Sequence, residues 1–133
     1  MSDFLDIESP YAEPFAAAGL RCLDDFMRLP AAADASSRHA HRETVSVEIA
    51  LDGSPRRFFL KRVFRVPPRH AVAPLLRLSL PFSQPLYEWR MLAELETAGI
   101  PAMKRIACGE RRAIGIPRQA FLLVEEVPLK ATL

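Results

Sequence analysis

Cysteine, glycine and long hydrophobic runs are all scarce in this chain. It has 2 cysteines and 5 glycines in 133 residues. Cys22 and Cys108 lie far apart, without the spacing of a disulfide framework or of a cysteine/histidine metal site. The first residues lack the basic and apolar regions of a signal peptide, and no run approaches the roughly 18 apolar residues of a membrane span. These absences favour the reducing cytoplasm and predict a chain without a transmembrane segment.

An excess of one charge is also missing. The formal net charge is +2, which is too small to indicate a nucleic-acid partner, although 15 of the 18 basic residues are arginine. An arginine bias fits phosphate chemistry, but it fits a GC-rich genome equally well, and we prefer the second explanation. The chain is 50% hydrophobic and 26% charged, a composition typical of one soluble globular domain.

The segment Ser83–Gly99, SQPLYEWRMLAELETAG, carries the strongest helical pattern. Ser83 can cap the first free amides, Pro85 fits the first turn, and Gly99 supplies the left-handed residue that ends a helix. Glu88 shares the predicted apolar stripe of this helix with three hydrophobic residues, Met91, Leu92 and Leu95. A carboxylate on such a stripe needs a cation opposite it, unless it reaches solvent at the helix edge.

A predicted β-hairpin that carries a lysine precedes this helix. The run Glu43–Leu51 alternates apolar and polar residues, an Asp-Gly turn follows, and the chain returns as a second strand. Lys61 lies on the returning strand and shares one face of it with Phe59. We predict that Lys61 is the cation that meets Glu88.

The part of the chain before the hairpin predicts helices and a loop. After an acidic, irregular start, residues 12–29 read either as two short helices or as a helix that runs into a strand. Residues 30–42 are polar and without periodicity, which predicts a mobile loop. His39 and His41 lie in that loop without a third ligand nearby, so we expect no metal site.

The part after the hairpin predicts a connecting excursion and two strands. Residues 65–82 contain several prolines and cannot form one regular element. Beyond the helix, residues 100–110 predict a short strand, 111–118 a turn, and 119–127 a strand buried on both faces. The expected fold class is α+β, with an antiparallel sheet of about five strands packed on one long helix. We expect an N-terminal helical segment at 1–30 and the main domain at 31–133.

Several phrases of the sequence resemble the small, N-terminal lobe of the protein-kinase-like fold. FFLKRV resembles the third kinase strand with its lysine, and AFLLVEEV resembles the fifth strand that leads into the hinge. YEWRMLAELETAGIPAMKRIACGE resembles the αC helix and the following strand of the Kdo/WaaP lipopolysaccharide kinase family, whose members carry a similar phrase. The resemblance covers roughly residues 42–127.

The resemblance implies a role for each matching residue. Lys61 would hold the α- and β-phosphates of ATP, and Glu88 would orient that lysine through an ion pair. The backbone of Glu125 and Val127 would meet the adenine edge, and Val124 would occupy the gatekeeper position. The implied cofactors are therefore ATP and Mg²⁺.

Two local departures from the kinase pattern affect the nucleotide site. Phe59 stands where protein kinases place a small alanine over the adenine, so its ring would crowd or stack on the base. The glycine-rich phosphate loop has no counterpart, because residues 30–42 contain no glycine. Phosphate cover would have to come from Ser36, Ser37 or Arg38.

Three functions remain open from the sequence. A complete parent enzyme would use MgATP to phosphorylate an inner-core sugar of lipopolysaccharide, in the cytoplasm at the inner face of the inner membrane. Transfer needs aspartates of the large lobe, and no HxD or DFG-like phrase follows Val127, so we expect this chain to be truncated and inactive alone. The alternative is a non-catalytic module that associates with itself or another protein through the hinge-side surface near Phe121–Leu133. A third possibility is an unrelated α+β domain in which Lys61 and Glu88 are a chance pair.

Overall fold

The computed structural model describes residues 2–31, 37–39, 42–65, 83–113 and 116–125. Helices and strands follow one another in the order β1 (Ser2–Ile7), α1 (Ser9–Ala17), α2 (Leu23–Met27), β2 (Ser37–His39), β3 (Arg42–Leu51), β4 (Ser54–Val63), α3 (Gln84–Thr97), β5 (Arg105–Ala113) and β6 (Ile116–Glu125). None of the helices in these ranges is long and apolar enough to cross a membrane.

The strands of the described residues form one antiparallel sheet of six strands, in the order β1-β5-β6-β4-β3-β2. The predicted hairpin is confirmed, because Leu51 of β3 faces Ser54 of β4 across a two-residue turn. Asp52 and Gly53 in that turn have φ angles of 52° and 80°. Two successive left-handed residues are what a type I′ hairpin turn requires, and the Asp-Gly sequence favours it. The predicted α+β class and antiparallel sheet are therefore correct.

The larger hydrophobic core lies on the face of the sheet that α1 and α2 cover. Phe26 stacks on Phe121 with ring centroids 4.5 Å apart, and Phe15 meets Phe58 edge-on at 5.9 Å. The inward-facing residues of β3 and β4 complete this core: Val45, Val47, Ile49, Leu51, Phe58 and Leu60. Removal of these side chains from water is the main force that holds the two helices against the sheet.

Helix α3 covers part of the opposite face, against β5 and β6. Its Leu86 and Trp89 form a second, smaller cluster with Cys108 of β5 and with Leu122 and Val124 of β6. The sheet therefore has different helices on its two faces, and the expected packing on one long helix describes only one of them.

The ends of α3 are those that the sequence predicted. The hydroxyl of Ser83 accepts a hydrogen bond from the backbone N–H of Leu86 at 3.4 Å, which satisfies one of the free amides of the first turn. Gly99 follows the helix with a φ of 73°, the left-handed conformation that closes a helix at low cost for glycine.

The acidic start of the chain was predicted to be irregular, and that prediction is wrong. Residues 2–7 form the edge strand β1, which pairs with β5 from Ser2 opposite Arg112 onwards. The guanidinium of Arg111 donates two hydrogen bonds to Asp3, at 2.8 and 2.9 Å, and holds the pKa of that carboxyl below its usual range. The strand escapes sequence reasoning because a partner strand and an arginine stabilise it, rather than a hydrophobic pattern of its own.

Two further boundaries differ from the sequence predictions. Within the predicted mobile loop 30–42, residues 37–39 form β2 and pair with β3, so a loop is wrong for these three residues. The predicted turn at residues 111–118 is too long, because β5 continues to Ala113 and β6 begins at Ile116. For residues 12–29 the sequence left open either two short helices or a helix that runs into a strand. The structure shows two short helices. Most of the proline-rich excursion 65–82 lies outside the described residues.

Gly109 marks the tightest packing between α2 and the sheet. A Cβ atom at this position would lie 2.6 Å from Leu23 Cδ1 and 2.6 Å from Phe121 Cε1. Carbon atoms at that distance overlap, so any larger residue would push the helix or the ring away. The absence of a side chain at Gly109 therefore allows α2 to approach β5.

We predict that Gly109→Ala lowers the free energy of unfolding by about 1–3 kcal/mol, the usual effect of overpacking. Urea unfolding monitored by circular dichroism measures this change. Leu23→Ala removes one of the two overlapping groups and serves as the matched background. The double variant should lose less stability than the sum of the two single variants, and strict additivity would contradict the proposed steric conflict.

Candidate functional site

The candidate site lies where β4 faces the edge of α3. Lys61 on β4 and Glu88 on α3 form an ion pair, with Lys61 Nζ 3.0 Å from Glu88 Oε2. The two side chains are 34% and 28% exposed. The pairing predicted from the sequence is therefore present, and the two residues do not lie on different faces, as a chance pair could. The pair borders solvent rather than the core.

The buried stripe of α3 is rotated from the predicted one. Leu86 and Trp89 are buried, whereas Met91 is 43% exposed, so its prediction as a core residue is wrong. Trp89 sets this rotation because its wide ring needs the cluster on β5 and β6. Glu88 consequently lies at the edge of the stripe, where it combines the two alternatives from the sequence: it meets Lys61 and keeps some contact with solvent.

The sheet surface next to the ion pair is aromatic and aliphatic. Phe59 shares the face of Lys61, stands opposite Val124 of β6 and packs, half-buried, on the cluster under α3. On its other side Phe59 faces Ser46 of β3. The hydroxyl oxygen of Ser46 is buried and has no hydrogen-bond partner among the described residues. A flat ring with polar edges is the kind of ligand that such a surface can contact.

Glu125 ends β6, and most of its polar groups are already engaged. Its backbone N–H donates to the carbonyl of Lys104 at 2.9 Å, and its carboxylate pairs with Arg56 at 2.9 Å. The backbone N–H and one carboxylate oxygen of Glu125 are therefore engaged within the protein. Val127 lies outside the described residues, and adenine contacts of either residue stay a prediction. The contacts with the nucleotide phosphates that the sequence analysis assigned to Ser36, Ser37 or Arg38 also stay a prediction.

Sequence reasoning missed the role of Arg62, the residue that follows the lysine of the ion pair. Arg62 is buried, and its Nη1 donates to the carbonyls of Met27 at 3.0 Å and Leu29 at 2.6 Å. Its guanidinium also pairs with Glu43. These contacts tie β4 to the C-terminal end of α2. The alternation of side chains along β4 could have predicted this role. It places Arg62 on the apolar face of the strand, where a cation needs hydrogen-bond acceptors.

Sequence reasoning also missed Glu110, a fully buried carboxylate on β5. Its Oε1 accepts the backbone N–H of Ser83 at 2.8 Å, and its Oε2 accepts Arg112 Nε at 2.6 Å. Glu110 thereby joins β5 to the residue that begins α3. Nothing in the sequence marks it, because the backbone group that it binds belongs to an element far away along the chain.

Cys108 lies in the buried cluster under α3. Burial raises the pKa of the Cys108 thiol far above its usual range, so the thiol stays protonated and does not serve as a nucleophile. Within the part of the chain that the structure describes, no three histidine, cysteine or acidic residues come together as metal ligands.

Comparison with known proteins gives one family and one related structure. A model of the lipopolysaccharide kinase (Kdo/WaaP) family matches residues 33–131. No curated protein matches the chain. A solved structure of WaaP in complex with acyl carrier protein is similar, with a TM-score of 0.60 and 22% sequence identity.

The two matches differ in what they show. The alignment with WaaP covers 93% of this chain but 41% of the WaaP chain, so this chain spans about two fifths of that protein. At this identity the likeness shows a shared fold. The family model covers well over half of the chain, including both residues of the ion pair. The chain therefore belongs to the lipopolysaccharide kinase (Kdo/WaaP) family.

Proposed function

We propose that the chain is the nucleotide-binding lobe of a kinase that transfers phosphate from MgATP to a sugar hydroxyl of the lipopolysaccharide inner core. The transfer would take place at the cytoplasmic face of the inner membrane. The ion pair between Lys61 and Glu88, on a sheet face that remains partly open, carries the proposal. Family membership supplies the reaction class.

Lys61 supplies the positive charge for the α- and β-phosphates in this proposal. An ammonium group has three N–H donors, so one can bind Glu88 while the others point towards phosphate oxygens. Glu88 holds the flexible lysine side chain in one position before the nucleotide arrives. A charge that is already in place needs little rearrangement when the phosphate charge develops, which is the main source of catalysis in phosphoryl transfer.

The base would lie on the surface beside the ion pair. Phe59 offers an apolar contact, whereas Val124, the proposed gatekeeper, is fully buried and does not reach this surface; the backbone of Glu125 is the proposed polar contact for the adenine edge. Because Phe59 is much larger than the alanine of protein kinases, the base must stack on its ring or shift towards the hinge. We infer a nucleotide pose that differs from that of protein kinases on this side.

The metal needs ligands that we do not assign to the described residues. Magnesium prefers an octahedral set of oxygen ligands, usually carboxylates together with phosphate oxygens and water. The proposal places these carboxylates and the catalytic aspartate in a further lobe of a longer protein, as the partial coverage of WaaP suggests. The lobe alone is then proposed to bind ATP weakly and to transfer no phosphate.

The test is phosphate transfer from γ-labelled ATP to deacylated inner-core oligosaccharide by the native protein that carries this sequence, isolated at full length. Lys61→Met should lower kcat by about 10²–10³-fold, the usual loss for one charged donor. Glu88→Gln should lower it by up to about 10²-fold, because the lysine remains but loses its position.

Lys104→Met is the matched control, since Lys104 is exposed and its Nζ lies over the ring of Tyr11, away from the ion pair. This variant should keep the wild-type rate. Wild-type kcat in Lys61→Met would refute the site assignment. A full-length native protein that phosphorylates no sugar would refute the enzymatic function itself.

A second candidate function is a non-catalytic interaction module. Its supporting observation is an apolar surface on α3, where Tyr87 is 54% and Met91 is 43% exposed, one helical turn apart. The hinge-side surface predicted from the sequence is not the source of this patch, because Phe121 is buried and residues 126–133 lie outside the described part. We propose self-association through α3, and an acyl carrier protein, found in the WaaP complex, as the alternative partner.

Sedimentation velocity over a range of concentrations tests the self-association. The wild-type chain should form dimers, and Tyr87→Gln with Met91→Gln should shift it to monomer without loss of helix content. Glu96→Gln, an exposed change elsewhere on α3, should leave the dimer intact. A wild-type chain that stays monomeric at the highest concentration rejects self-association, and binding to acyl carrier protein is then measured by the same method.

A further inference from the structure

A buried carboxylate controls where α3 begins. Glu110 on β5 is fully buried, and its two oxygens bind the backbone N–H of Ser83 and the guanidinium of Arg112. Ser83 is the N-cap residue of α3 and is itself buried. Burial of a charge is unfavourable unless every oxygen is well bonded, and such a group is weak evidence for stability. In some proteins such a group selects one arrangement of the chain.

The apolar contacts of α3 set its rotation through Trp89, but they do not fix where the helix begins. Leu86 and Trp89 pack on Cys108 and Leu122, and contacts of this kind are non-directional, so the helix could slide along its axis by a small amount with little loss. A hydrogen bond is directional and short-ranged. The bond from Ser83 to Glu110 therefore fixes the start of the helix relative to β5.

The position of the helix start determines whether Glu88 reaches its partner. Glu88 lies five residues after Ser83, and α3 packs mainly on β5 and β6, whereas Lys61 lies on β4. The ion pair thus forms at the margin of the helix, where a small shift of the axis would break a 3.0 Å contact. We propose that Glu110 is a positioning residue for the Lys61–Glu88 pair. This inference rests on the proposed function of that pair in nucleotide binding.

The experiment measures the ion pair without nucleotide. A trace amine-reactive reagent labels the folded chain, and mass spectrometry gives the labelling of Lys61 relative to the exposed Lys104. Lys61 Nζ is held against Glu88 Oε2 at 3.0 Å and is only partly exposed, so the reagent reaches it less readily than a free amine. Glu88→Gln, which removes the partner, should raise the ratio about two- to fivefold, the range expected for an exposed pair. Glu110→Leu should raise it by a similar factor.

Two variants separate positioning from general stability. Glu110→Gln keeps an oxygen that can accept the N–H of Ser83, so it should raise the ratio less than Glu110→Leu. Leu23→Ala weakens the core on the opposite face and should keep the wild-type ratio well below its unfolding midpoint. If Glu110→Leu does not fold, Glu110→Gln decides: a ratio above wild type supports the proposal, and the wild-type ratio overturns it.

Wild-type ratios in both Glu110 variants, together with a raised ratio in Glu88→Gln, would overturn the positioning role. An unchanged ratio in Glu88→Gln would also overturn it, because the pair would then not form in solution. Since no ATP is present, a failure of phosphate transfer leaves this result untouched. A negative result in the kinase assay therefore does not decide the labelling experiment, and a negative labelling result does not decide the kinase assay.

Discussion

The two faces of the sheet obey different constraints, and the rest of the structure depends on this difference. One face is sealed by α1 and α2 over a core of aromatic and aliphatic side chains. The other carries α3 over β5 and β6, and the Lys61 side chain on β4 stays about one-third exposed there. Under the proposed function this side must stay accessible to a charged ligand, so most of the stability would come from the closed face.

Buried charged groups connect the helices to this sheet on both faces. On the closed face, Arg62 donates to carbonyls at the end of α2; on the open face, Glu110 accepts an amide at the start of α3. Each charge meets the end of a helix that has unpaired backbone groups of opposite polarity. Because these bonds are directional, they fix helix positions that apolar packing leaves adjustable.

Local patterns in the sequence were enough to predict the central elements. The Asp-Gly turn, the alternation of β3, and the capping residues of α3 each act within a few neighbours, so they could be read without the fold. For Glu88 the pattern left two alternatives open, a cation opposite it or contact with solvent at the helix edge, and the structure shows both. The family resemblance then pointed to Lys61 and Glu88.

Features that depend on distant parts of the chain could not be predicted in the same way. Strand β1 exists because β5 lies beside it, and the burial of Glu110 depends on a backbone amide 27 positions away in the sequence. The rotation of α3 follows from the fit of Trp89 to two strands rather than from the periodicity of the helix. Tertiary contacts of this kind outweigh local propensity, and no sequence window contains both partners.

The energy of the ion pair argues that its purpose is not stability. At exposures of 34% and 28%, a lysine–glutamate pair contributes about 0–1 kcal/mol, a small part of the stability of a domain. A closed packing of apolar residues at the same place would stabilise the sheet more. The chain instead keeps a lysine fixed by a carboxylate at an open margin. A lysine that is ordered in advance but weakly stabilising is what the proposed phosphate-binding role of Lys61 requires.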